Sequence, residues 1–178
     1  ATARAGSEIA FRWSQWLPSH RGPMTTYMAP YEGDLSEVNV NKLQFFKIHE
    51  GGLYPDQQFG KMDTVPWSVK PNLATDKMIW DNGVWNATIP WDNKPGNYIV
   101  RHELVALHFA TTNSNYRNYG FVAPQFYPSC YHVKVTGNGT AVPVGVTFPG
   151  AYKPTDPGLV FGLYVNKTSY PFPGPPVY

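Results

Sequence analysis

The sequence predicts an all-β fold, an antiparallel β-sandwich with long loops and little helix, on three observations. Its 178 residues include 18 Pro and 16 Gly, with 16% aromatic and only 15% charged residues, a balance that suits short strands joined by ordered turns. Apolar and polar residues alternate with period two in short runs along the chain, the pattern of half-buried strands. Pro-Gly, Asn-Gly and Asp-Pro-Gly turn signals separate the later runs.

Taken in order, the runs EIAFRW (8–13), MTTYMA (24–29) and LQFFKI (43–48) are three expected strands before residue 50. Residues 50–84 are rich in Gly, Pro, Asp and Asn, keep neither period, and read as a long irregular surface excursion. Strands resume at VWNATIP (84–90), NYIVRHELVALH (97–108), YHVKVTG (131–137) and LVFGLY (159–164). Seven strands at this spacing fit a sandwich of the immunoglobulin or fibronectin kind. The one helical candidate is a turn around SNYRNYG (114–120), with Gly120 as its stop. The Pro-rich end YPFPGPPVY reads as an extended strap along the sandwich. No linker or repeat divides the chain, so residues 1–178 are expected to form one domain, and a monomer.

The 14 Lys plus Arg against 12 Asp plus Glu leave a formal charge of +2. No basic block is present to follow a phosphate backbone, which argues against a nucleic-acid partner. No apolar run is long enough to cross a bilayer, so no membrane partner is expected. The start ATARAGSE lacks the layout of a signal peptide. The expectation is a soluble chain and, for a secreted protein, an already processed one. Three sequons, at Asn86, Asn138 and Asn166, suit a glycosylated extracellular protein. The single cysteine, Cys130, is unusual in that setting: either it is a buried free thiol or its disulfide partner lies outside this chain.

Chemistry-bearing candidates are few. His20, in SHRGP before a strand, sits on a loop where its imidazole can face outward. Surface hydrogen bonding is the commoner fate of such a residue, and ligation needs convergent partners. In RHELVALH, strand alternation puts Arg101, Glu103, Val105 and Leu107 on one face and His102, Leu104, Ala106 and His108 on the other. In PQFYPSC, Gln125 and Tyr127 share a side, so an amide and a phenol can point at one site, although a buried tyrosine bonded to backbone is the commoner fate near a core, and Gln125 has the same ordinary alternative. There is no GxSxG, HExxH, P-loop or βαβ-borne GxGxxG. Scattered carboxylates leave a two-carboxylate hydrolase open as a distant reading.

Together the motifs SHRGPMTTYMAP, IPWDNKPGNYIVRHELVALH, QFYPSC and YKPTDPGLVFGLY followed by SYPFPGPP resemble the fungal lytic polysaccharide monooxygenases of auxiliary-activity family 9, in order along nearly the whole chain. The resemblance implies a secreted enzyme holding one copper ion, with His20 as a ligand and Tyr127 as the axial phenol. His108 and Gln125 would orient the oxygen species. It implies cellulose or a related β-1,4-glucan as substrate, cut oxidatively with an external electron donor and dioxygen or hydrogen peroxide. Tyr164 would stack on sugar rings, with a core anchor as its ordinary reading. Tyr54 and Trp67 in the excursion are lesser aromatic candidates.

The family pattern also has a mature N-terminal histidine that completes a copper brace, whereas residue 1 here is Ala1. ATARAGSEIAFRW resembles an internal strand of the family, and QFYPSC matches a family cysteine whose partner lies earlier. The expectation is therefore that the opening of the domain is absent from this sequence and that a longer or supplementary polypeptide supplies the histidine. The alternative is a non-catalytic relative without the brace, acting as a carbohydrate-binding or copper-handling protein.

Overall fold

The computed structural model describes residues 1–54, 72–110, 123–163 and 167–178. Among them are nine strands, β1 (Thr2–Arg4), β2 (Glu8–Arg12), β3 (Met24–Tyr31), β4 (Phe46–Gly51), β5 (Leu53–Tyr54), β6 (Asn72–Leu73), β7 (Val84–Thr88), β8 (Gly96–Ala106) and β9 (Gln125–Thr136), and one helix, α1 (Ala74–Trp80). Five strands form a sheet in the order β1-β9-β8-β3-β4. All its pairs are antiparallel except β1 with β9, where Thr2 lies opposite Lys134 in parallel. A β2-β7 ribbon packs over one face, and β5-β6 form a short pair.

The central strands β3 and β8 are buried almost throughout, as strands covered on both faces must be. Alternation sorts their side chains into two cores. Met24, Met28, Val100, Leu104 and Ala106 face Phe11, Trp85 and Ala87 of the ribbon. On the other face, Val105 and Leu107 meet Leu159, Phe161, Leu163 and Tyr170, while Tyr27 and Ile99 meet Phe45 and Phe148. Each fully buried side chain of this size contributes about 1.5–3 kcal/mol.

The C-terminal strap lies where the sequence suggests. Lys47, 1% exposed, donates to the Pro173 carbonyl at 3.1 Å and pairs with Glu50. Val177 bridges to Lys47 in parallel, and Tyr178 N donates to Lys47 O at 2.9 Å.

Four expectations are corrected. The 50–84 stretch is not wholly irregular: it holds β5, β6 and α1. Leu159–Leu163 form no strand, because they bury their alternate side chains from a turn in which Leu159 N and Val160 N both donate to Asp156 O. β9 begins six residues before the run at 131, passing through Pro128, which a strand tolerates where its outer edge is unpaired. β4 starts at Phe46 because Leu43 closes a short 3-10 turn. The helical candidate at 114–120 lies outside the described residues.

Candidate functional site

His20 and His108 come together through strand register. β3 and β8 pair with Met24 opposite Leu104, and the ladder continues beyond the strands. Val105 N donates to Pro23 O at 3.1 Å and Leu107 N to Arg21 O at 2.8 Å. One step further sets His20 beside His108, with ring centroids 4.2 Å apart and planes tilted by 44°. The pairing demands glycine at position 22, since a Cβ there would collide with the Val105 carbonyl.

Helix α1 braces this loop from the stretch expected to be irregular. Arg21 Nε donates to Asp76 Oδ1 at 3.0 Å, and Asp76, 3% exposed, also accepts from Leu73 N at 2.7 Å. Gly22 N donates to Thr75 Oγ1 at 3.0 Å, and Thr75 N returns a bond to Gly22 O. Seven residues make a marginal helix alone. This one is held by Ala74 and Met78 in the core and by the Lys77–Asp81 pair, and it ends at Asn82 and Gly83, both with positive φ.

β9 supplies the other side. Leu104 lies opposite Tyr127 and Ala106 opposite Gln125, so the phenol and amide stand at the same end as the histidines. Tyr127 Oη donates to Gln125 Oε1 at 2.7 Å, and the Tyr127 ring lies 6.3 Å from that of His20. Trp16, which sequence reasoning passed over, fills the corner. Its ring meets Tyr127 edge-on at 4.9 Å, and its Nε1 donates to the His20 carbonyl at 2.9 Å. The available signal was its place four residues before His20 in WLPSH. Phe109, 41% exposed, packs on His108 at 4.3 Å.

The imidazoles differ in their partners. His20 Nδ1 lies 3.0 Å from Ser19 Oγ; donation to that hydroxyl leaves Nε2 with a free lone pair. His108 Nδ1 is buried with no hydrogen-bond partner. Burial, and secondarily His20, holds His108 below the ordinary histidine value. The remaining histidines are elsewhere. His102 is fully buried, accepting from Trp13 Nε1 at 3.1 Å, bonded to Thr26 Oγ1 at 3.0 Å and stacked on Phe11. Burial, with His49 as a lesser cause, pushes it down to about 3. His49 packs on Trp85 and His132 on Tyr31.

Of the other candidates, Cys130 is exposed in β9 opposite Arg101, free among the described residues; desolvation raises its thiol pKa and Arg101 offsets this. Asn86 is exposed in β7 and Asn138 in the turn after β9. Tyr54 packs against the core. Tyr164, Asn166 and Trp67 lie outside the described residues. Among the described residues no group of three His, Cys, Asp or Glu side chains converges as a metal cluster, and no helix is long and apolar enough to cross a membrane.

Comparison with known proteins gives this site its context. AA9 family lytic polysaccharide monooxygenase B of Geotrichum candidum is 44% identical over 179 residues, spanning 100% of this chain and 44% of its own length. AA9 family lytic polysaccharide monooxygenase E of Aspergillus tamarii is 40% identical, spanning 100% of this chain and 64% of its own. The chain thus spans about half the length of the curated relatives it matches. Among solved structures, a glycoside hydrolase family 61 member from Hypocrea jecorina superposes with a TM-score of 0.82 at 37% identity, over 100% of this chain and 70% of that one. A cellulose-active polysaccharide monooxygenase from M. thermophila does so with a TM-score of 0.77 at 34% identity, over 100% and 74%. The profile of one family matches residues 1–171, and the chain belongs to it: Auxiliary Activity family 9, formerly GH61.

Proposed function

We propose that this chain is a β-sandwich catalytic domain of a secreted, copper-dependent polysaccharide monooxygenase that cleaves cellulose or a related β-1,4-glucan oxidatively. The observation that carries the reading is the convergence of His20, His108 and Tyr127 at one end of the sheet, on register-paired backbone.

The donors fit copper in kind. His20 Nε2 has a free lone pair when Nδ1 donates to Ser19, and Tyr127 offers a phenol oxygen from the neighbouring strand. Imidazole nitrogen with a weak oxygen donor suits copper. His20 and Tyr127 would hold the ion. When bound, copper supplies a one-electron redox centre at which dioxygen or hydrogen peroxide is activated for hydrogen removal from a sugar carbon, with an external reductant. Gln125 and His108 would orient that oxygen species by hydrogen bonds. Trp16 walls the corner against water, and α1 fixes the loop that carries His20.

Copper titration followed by electron paramagnetic resonance, with mass analysis of products from cellulose, tests this. The expected result is a copper signal with nitrogen coupling that is lost in His20→Ala, with oxidised sugar ends among the products. Purely hydrolytic products, or a signal indifferent to His20→Ala, would overturn the reading.

A further inference from the structure

At the end of the sandwich opposite His20, three turns meet. One joins β1 to β2 through Ala5 and Gly6, one leaves β7 through Trp91 and Asp92, and one follows β9 through Gly137, Asn138 and Gly139. β8 begins near these turns and ends beside His108, and its eleven residues span about 35 Å, so this end is remote from the copper-site candidates.

The turns are locked to one another. A Cβ at Gly6 would touch Trp91 Cβ at 3.5 Å, one at Gly137 would press on Ala5 Cβ at 3.2 Å, and one at Gly139 would collide with the Asp92 carbonyl. Ala141 N donates to Asp92 O at 2.9 Å and Lys94 N to Ala141 O at 3.0 Å. Tyr178 Oη donates to Asp92 Oδ2 at 2.9 Å, and Asn93 is fully buried. On this fixed backbone the Trp91 indole is nevertheless 80% exposed. The ring thus offers an exposed apolar face whose backbone is already ordered, so a ligand that covers it need not order the turn.

Asn138-Gly139-Thr140 is a sequon whose Asn138 and Thr140 are both exposed. Trp91 and Asn138 each directly precede the touching pair Asp92 and Gly139. Asn86 is exposed too, but it lies mid-strand opposite Ala10 of β2, and its neighbour Trp85 is buried.

We propose that Asn138 carries an N-linked glycan whose first sugar rests on the indole of Trp91, the C–H face of the pyranose covering the ring. The donor is a lipid-linked diphospho-oligosaccharide. The bond from the anomeric carbon to Asn138 Nδ2 forms as the bond from that carbon to the phosphate oxygen breaks. The amide proton passes to a base, the lipid diphosphate leaves, and nothing is oxidised or reduced. The proposal rests on the reading of the chain as a secreted protein.

The chain, directed through the secretory path of a glycosylating host by a heterologous leader, is treated with peptide-N-glycosidase in heavy-oxygen water and mapped by mass spectrometry. Conversion of Asn138 to labelled aspartate is expected. In the glycosylated protein, Trp91→Ala should lower Tm by about 2–4 °C, while in an Asn138→Gln background it should leave Tm unchanged. An unlabelled Asn138, with or without label at Asn86, overturns the site, and an equal Tm effect of Trp91→Ala in both backgrounds overturns the stacking. Because the leader enforces passage, neither outcome bears on the copper reading, which its own titration decides.

Discussion

Asp76 holds Arg21 across 55 residues of sequence, its carboxylate almost fully buried while it accepts from Arg21 and from Leu73 N. The bond ties a helix to the loop that carries His20, so a carboxylate engaged with Arg21 and the backbone at the start of α1 governs where the imidazole stands.

Replacing Asp76 with Ala leaves Arg21 without this partner and exposes an unmet donor at the start of α1. Loss of about 3 kcal/mol is expected, together with a tenfold or larger fall in copper affinity. Urea unfolding and copper titration of one variant measure both, and an affinity unchanged in a destabilised protein would separate the helix from the site.

At Gly22 the constraint is steric. Gly22→Ala drives a methyl into the Val105 carbonyl, so the β3–β8 ladder must open near His20. A cost of about 1–3 kcal/mol or more is expected, with weakened copper binding. Amide exchange at Leu107, whose N–H donates to Arg21 O, should accelerate in step.

Tyr127→Phe keeps the ring against Trp16 and deletes the hydroxyl that donates to Gln125. Stability should change by about 1 kcal/mol or less, while the visible spectrum of the copper-loaded protein shifts. An unchanged spectrum would remove the phenol from the ligand set.

Acid should destabilise the fold through His102. In the folded chain its value is down to about 3, against 6.5 as the unperturbed reference. Below pH 6.5 the unfolded chain binds a proton that the folded chain refuses, so stability present above pH 6.5 is lost progressively as pH falls toward 3. Glu103 acts in the opposite sense, since burial raises its pKa. The comparison is therefore wild type against His102→Phe, which retains stacking on Phe11 and should show a shallower loss of urea stability between pH 7 and pH 4.

Much of the sheet was legible because β3 and β8 are long enough for alternation to show which side chains face each core. β1 was not, since three residues become a strand only through Lys134–Thr136. ATDKMIW carries no side-chain cap at Leu73, and its helix depends on Arg21 and Gly22, some fifty residues away in sequence, which no local window contains. At 159–163 the reverse occurred: alternate burial was real but came from a turn. In the site, spacing alone left His20, His108 and the Gln125–Tyr127 pair as separate candidates, and the family likeness grouped them. Trp16 escaped because an indole near a strand end reads as ordinary core.

The buried Lys47 has a temporal consequence. Its carbonyl and ammonium receive the strap at Pro173 and Tyr178, 126 positions away in the bond to Pro173, while Ala1 N reaches across 131 positions to His132 O. Both flanks of the five-stranded sheet are thus finished by pairings between segments far apart in sequence. During synthesis the β4 edge stays open until residues 173–178 have emerged to pair with Lys47, and that interval, rather than the finished molecule, is when two nascent copies are exposed to mispairing.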